Sequence, residues 1–185
     1  MKPYIFLCEG SHDQEFFEEF LKLKNIKFHH LFQHQIRDSR NGENWIIRDF
    51  QSKFYRRQLS QGCRALIKVE GNVDNCINIF IDILKSEPLD CSIFAIIDQD
   101  NGRRLKSIQK KIRREFNQSL VRESDLIHSY SPLRKFFLIP QSLEILVEES
   151  TGKKIDNIRI ESRRRKIFKQ YLQTNPQWVR EFKIS

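Results

Sequence analysis

The sequence is poor in residues that break or cross-link a chain: of 185 residues only six are Gly, five Pro and four Cys, with a single Met. Scarce Gly and Pro, and the lack of any low-complexity tract, exclude collagen-like, linker-like and disordered architectures. Cys8, Cys63, Cys76 and Cys91 form no CxxC pair, which excludes a zinc knuckle and a thioredoxin-type motif. They read as reduced, mostly buried thiols of a cytoplasmic protein. No apolar run approaches the roughly 18–20 residues that span a bilayer, and the stretch from Met1 to Cys8 meets Glu9 too early for a signal-peptide core. Secretion and a membrane partner are therefore not expected. No G-x-x-x-x-G-K-[ST] occurs, so no Walker-type phosphate loop is present.

What is abundant is apolar bulk and positive charge. Hydrophobic residues make up 39% of the chain and include 15 Phe, enough at this length for one well-filled core. Lys and Arg number 33 against 24 Asp and Glu, a formal net charge of +9, and the two signs are segregated. Residues 1–20 hold Lys2 alone against Glu9, Asp13, Glu15, Glu18 and Glu19. Residues 103–122 hold eight cations against Glu115, and residues 151–185 hold ten against Asp156, Glu161 and Glu181. One acidic region faces two basic ones, and a positive balance permits nucleic-acid binding without showing it.

Apolar runs at 3–8, 27–33, 64–69, 92–97 and 136–139 read as strands. Between them lie amphipathic stretches: Phe16, Phe17, Phe20, Leu21 and Leu23 after a capping box at Ser11 to Gln14; Ile46, Ile47, Phe50 and Phe54; Ile77, Ile79, Phe80, Ile83 and Leu84; and a basic helix striped by Leu105, Ile108, Ile112 and Phe116. Ser142 is placed to cap a helix carrying Leu143, Ile145, Leu146 and Val147. Beyond Gly152 the chain is polar up to Arg163, then helical through Ile167, Phe168, Tyr171 and Leu172, with Asn175-Pro176 opening a last turn that holds Trp178, Val179 and Phe182. Buried strands alternating with amphipathic helices predict an α/β fold, a mostly parallel central sheet with helices on both faces. Ligands of such sheets bind outside the carboxyl ends of the strands.

At those ends stand acids. The first strand delivers Glu9, with Asp13 in the following helical turn, and the strand at 92–97 delivers Asp98 and Asp100. Clustered carboxylates repel one another and repel phosphate, so they need a cation. Mg²⁺ suits them, because it takes one or two carboxylates and leaves the rest of its shell to water and substrate phosphate.

Glu9-Gly10-Ser11-His12-Asp13 at one strand end and Asp98-Gln99-Asp100 at another, about 90 residues on, resemble the Toprim domain of topoisomerases, bacterial primases, RecR-type recombination proteins, small ribonucleases and the OLD nucleases. The resemblance covers about residues 1–150, with an insertion at about 34–62, and leaves residues 151–185 as a basic helical C-terminal extension packed on the same domain. It implies a Rossmann-like fold and Mg²⁺-dependent phosphoryl transfer on nucleic acid, DNA or RNA, most readily as a nuclease, with Mn²⁺ as an alternative ion. Glu9 would then be the general acid/base or a metal ligand, and Asp98 and Asp100 would be metal ligands. Asp13 corresponds to the additional acid of the OLD-like branch, and Glu144, after Ile139-Pro140, is a further ligand by the same likeness. The loop after Asp100 reads Asn101-Gly102-Arg103-Arg104 without another acid, which favours one metal over two. No tyrosine stands in the context of a topoisomerase nucleophile. RecR-like members imply the alternative of a non-catalytic module that binds nucleic acid or regulates an ATPase in trans.

Phosphate contacts are expected from Arg103, Arg104, Lys110 and Arg114 on the first basic helix and from Arg163, Arg164 and Arg165 in the tail. A second Glu-Gly-x-x-Asp, Glu70 to Asp74, reads as a structural turn. His29 and His30 fall on opposite faces of a strand, which argues against a shared zinc. His12, inside the first Glu-Gly-x-x-Asp turn, is placed either to meet substrate phosphate or to face solvent. Trp45, Phe54, Tyr55, Arg56 and Arg57 mix rings with charge as single-strand binders do, although Trp45 and Phe54 read more readily as core.

Overall fold

A computed structural model describes residues 3–31, 62–85, 91–99 and 103–182. The strands are β1 (Tyr4–Cys8), β2 (Phe28–Leu31), β3 (Ala65–Val69), β4 (Ser92–Asp98), β5 (Val121–Arg122), β6 (Ile127–Ser131) and β7 (Arg134–Ile139). The helices are α1 (Ser11–Leu23), α2 (Val73–Lys85), α3 (Arg103–Phe116), α4 (Leu143–Thr151), α5 (Glu161–Gln173) and α6 (Gln177–Glu181), with a 3₁₀ turn at Ile155–Asn157. The sheet order is β2-β3-β1-β4-β7-β6-β5. The first five of these strands run parallel, and β6 and β5 close one edge antiparallel. The α/β expectation is met.

Alternation along β1 shows why the sheet is covered twice. Tyr4, Phe6 and Cys8 enter one core with α1, α4, α5 and α6, while Ile5 and Leu7 enter a second with α2 and α3. In-register pairing of Leu7 with Lys68 and Ala95 keeps each strand's two residue sets on their own faces. The first core is aromatic. Phe182 lies 5.3 Å from Phe17, 4.9 Å from Phe94 and 4.7 Å from Phe137 between ring centroids, and Trp178 stacks on Phe16 at 5.5 Å. Such ring pairs add roughly 0.5–1.5 kcal/mol each beyond their buried area. Residues 161–182 thus share one core with β1 rather than forming a separate layer.

Two details differ from the sequence reading. The N-cap of α1 is Gly10, not Ser11, and Asp13 reaches back to it; Gln14, expected to close the capping box, instead donates to Glu18 Oε1 at 2.7 Å. The strand expected at 136–139 is β7, but β6 and β5, which pair antiparallel beside it, have no counterpart in the sequence reading. The β6 segment, Ile-His-Ser-Tyr-Ser, offers no apolar run, and β5 is only two exposed residues long. The helix expected around Ile46 to Phe54, the aromatic and basic residues near it and the insertion at 34–62 lie outside the described residues, apart from Gly62.

Elsewhere local rules hold. Ser142 Oγ caps α4 by accepting from Ile145 N, and Gly152, at φ 69°, closes it in the left-handed region that favours glycine. All four cysteines are buried and free. No described helix is long and apolar enough to cross a membrane.

Candidate active site at the carboxyl edge of the sheet

β1 exits into α1 on one face of the sheet, and its neighbour β4 exits towards α3 on the other. Chain paths that diverge from adjacent parallel strands leave a crevice at their carboxyl ends, the place where sheets of this kind bind ligands. Glu9 follows β1, Asp98 ends β4, and Asp13 sits in the first turn of α1. Glu144, in the first turn of α4 after the neighbouring β7, completes the rim. Four acids expected from the sequence are therefore brought to one edge.

Their surroundings are unequal. Asp13 is buried, and its Oδ2 accepts from Gly10 N at 2.8 Å. Burial, reinforced by the charge of Asp98, pushes its carboxyl well above the usual range against that hydrogen bond. Asp98 behaves alike: burial, then Glu144 and Glu9, raise its carboxyl to about 7, while Arg104 and the Leu143 N–H pull it back. Asp98 Oδ1 is buried without a hydrogen-bond partner, a costly state for a carboxylate oxygen. Glu9 is half-buried and takes Arg104 Nη1 on its Oε2 at 2.6 Å. Glu144 Oε1 lies 2.8 Å from His12 Nδ1. Through that hydrogen bond the Glu144 carboxyl is held below its usual range and the His12 imidazole is raised. The exposed Asp156 brings Oδ1 to 3.7 Å from the same His12 nitrogen. A Cβ at Gly10 would meet only Asp13 Oδ2, at 3.7 Å, so the space beside this turn is open.

Asp13 is buried and Asp98 half-buried with one oxygen left bare, and both favour protons, so together they form a site that gains by taking up positive charge. Among the described residues the donor atoms that lie within 4.8 Å of one another are those of His12, Glu144 and Asp156. Glu9, Asp13 and Asp98 share the edge without closing to that distance, and the orphaned Asp98 Oδ1 is the atom that a cation with oxygen preference would neutralise.

The remaining expected residues divide. Asp100 and the Arg103 side chain lie outside the described residues. Arg104 belongs to the acidic site itself, as the partner of Glu9. Lys110 and Arg114 are exposed on α3, with Arg114 turned to Glu115 at 3.1 Å. Arg163 is exposed, but Arg164 and Arg165 are not outward phosphate contacts. Arg164 forks onto the buried Glu15, with Nε 2.8 Å from Oε2 and a second bond from Nη2 to Oε1, while Arg165 spans Glu18, Glu19 and Glu161. Both tie α5 to α1, because acids on the inner side of α1 need counter-charge where water is excluded.

The second Glu-Gly-x-x-Asp behaves as the turn expected. Glu70 pairs with the buried Lys68 and its N–H donates to Cys8 O at 2.9 Å, Gly71 takes φ 83°, and Asp74 meets Lys111 on the surface at 2.8 Å. Sequence reasoning missed the His12–Glu144 contact, which joins positions 132 apart; the only local signal was a histidine inside the acidic turn.

No family model matches the chain, and no curated protein does. Among solved structures, a solution NMR structure of a de novo designed protein with a P-loop NTPase fold aligns over 94% of this chain and 92% of its own at 10% identity, with a TM-score of 0.34. A likeness that low carries no argument about function.

Proposed function

We propose that the chain is a Toprim-type, Mg²⁺-dependent phosphoryl-transfer enzyme that cleaves nucleic acid. The observation that carries this reading is the placement of Glu9, Asp13 and Asp98 at the carboxyl ends of β1 and β4, with Asp98 Oδ1 buried and unpartnered. Asp98 and Asp13 would hold the ion, with Asp100 and Glu144 as further ligands. Bound Mg²⁺, or Mn²⁺, supplies charge neutralisation at the scissile phosphate and acidifies a bound water. Glu9 is held by Arg104 through one oxygen, which leaves the other to take the proton of the attacking water or to share the ion. The Arg104 guanidinium lies where it can also neutralise charge that develops on the phosphate oxygens. Cations elsewhere on the chain hold the polyanion that the acidic edge would otherwise repel.

The test is incubation of the purified protein with single- and double-stranded DNA and RNA in Mg²⁺ or Mn²⁺. Cleavage is expected, and Glu9→Gln and Asp98→Ala should each reduce it by about a hundredfold or more, the scale of an acid/base contribution. Cleavage that persists in both variants overturns the assignment.

A second reading, a non-catalytic Toprim module that binds nucleic acid or regulates an ATPase in trans, is favoured by one observation: Arg104 already serves as an internal cation for Glu9 at 2.6 Å. Calorimetry separates the two. Retained nucleic-acid affinity with no heat of Mg²⁺ or Mn²⁺ binding selects the adaptor.

A further inference from the structure

Helix α5 carries cations of two kinds. Arg164 and Arg165 turn inward to α1, whereas Arg163 and Lys166, three apart and so on one side of the helix, turn to solvent. With Lys153 and Arg159 they line a groove of about 540 Å³ between α5 and the segment at 153–160. Its remaining walls are Asn157, Ile158, Ile160, Ile167 and Gln170, with no carboxylate among the lining residues. Lys153, Arg159, Arg163 and Lys166 are exposed and have no acidic partner among the described residues. By contrast, the cations of α5 that face α1 are saturated with acids. Ile160, 50% exposed, places an apolar surface among the four charges.

We infer that this groove grips the phosphodiester backbone of a polynucleotide. The inference rests on the nucleic-acid reading above and extends it from where the strand is cut to where it is held. Four uncompensated cations around a concave floor match a chain of single negative charges, each phosphate releasing counterions as it binds. The exposed apolar surface of Ile160, with part of Ile158, suits the sugar and base surface between phosphates. A planar anionic membrane would touch only the rim of a concavity. The groove also adjoins the acidic edge: Asp156, next to Asn157 in the wall, lies 3.7 Å from His12, which neighbours Asp13. A strand lying in the groove is thus delivered to the carboxylates.

The test measures binding of the full chain to fluorescein-labelled single-stranded DNA, single-stranded RNA and duplex DNA by anisotropy, in EDTA so that cleavage does not enter. Arg163→Gln/Lys166→Gln and, separately, Lys153→Gln/Arg159→Gln should each weaken binding about tenfold or more. Each should also flatten the slope of log K against log salt by about 1–2, the loss of two phosphate contacts. The charge-matched control Lys24→Gln/Arg122→Gln, exposed and away from the groove, should change neither. All six positions are surface residues, and thermal melting confirms that each variant is folded. Equal weakening in the control, unchanged binding in both groove pairs, or wild-type affinity confined to acidic peptides or anionic vesicles overturns the inference. Groove-dependent binding with no cleavage on adding Mg²⁺ defeats the nuclease reading and leaves the groove standing. Cleavage with groove-independent binding does the reverse.

Discussion

Asp98 ends the most apolar strand of the sheet with one oxygen buried and bare, and its carboxyl raised by burial and by Glu144 and Glu9 to about 7. In the unfolded chain the same group ionises near 4. Between those values the folded protein holds the proton and the unfolded chain does not, so metal-free stability falls as pH rises from about 4 to about 7 and is level above that. Asp13 pulls in the same direction. Asp98→Asn is expected to remove part of this slope. Urea midpoints should place the variant about 1–2 kcal/mol above wild type at pH 8, well below a full conversion of the shift because the edge is partly solvated, and close to wild type at pH 4. A second expectation belongs to the same residue. Near pH 7 Mg²⁺ binding should release protons, seen as a buffer-dependent heat in titration calorimetry, and the release should shrink in Asp98→Asn. A wild-type heat that is independent of buffer counts against Asp98 as a ligand.

At the scale of the element, α5 shows how one run of cations serves two purposes. Successive residues of a helix turn by about 100°, so Arg163, Arg164 and Arg165 cannot share a direction. Arg164 falls against Glu15 of α1, where both side chains are largely buried, and Arg163 falls in the groove. Arg164→Ala leaves the Glu15 carboxylate buried without its partner, a loss of about 3 kcal/mol, or roughly 6–12 °C in Tm for a chain of this size. Arg163→Ala should change stability by no more than about 0.5 kcal/mol. Calorimetric melting of the two variants side by side checks the division, and equal losses would show that the two arginines play one role. The α1 turn follows a similar logic: Asp13 both caps the helix by accepting from Gly10 N and faces the crevice. A capping reading and a site reading of this acid are therefore compatible.

For the molecule as a whole, the two sheet faces have different covers. The α2/α3 face is aliphatic for the most part, while the α1/α4/α5/α6 face is filled with rings contributed from both ends of the described chain. Phe6 and Phe17 meet Phe182, and Phe16 meets Phe168 at 5.8 Å and Trp178 at 5.5 Å. Removing residues 161–185 would bare these buried rings of β1 and α1 together with Glu15 and Glu18. The truncated chain is expected to lose its cooperative thermal transition and its near-UV circular dichroism, the signs of lost side-chain packing. A truncated protein that melts cooperatively near the wild-type temperature would mark the tail as an accessory. The same arrangement segregates charge, with acids at the carboxyl edge and, in the neighbouring groove, cations that have no acidic partner among the described residues.

Much of this was legible in the residues themselves. Apolar runs mark the parallel strands, since strands buried on both faces carry no polar alternation. Stripes at helical spacing mark α1, α2 and α3. Order along the chain puts Glu9 and Asp98 at strand ends, because a strand exits where its apolar run stops. Hidden from the sequence were the β5/β6 edge, where β5 is exposed and β6 buries polar His128 and Ser129 in place of an apolar run, and every relation between distant side chains. Arg104 meets Glu9 across 95 positions, Glu144 meets His12 across 132, and Arg164 meets Glu15 across 149. Periodicity is a property of neighbours in the chain, and it tells which residues are buried and which way an element faces. Which acid receives a counter-charge, which keeps a bare oxygen, and which arginines remain free for a polyanion depend on what the packed elements bring opposite, and only the tertiary structure decides that.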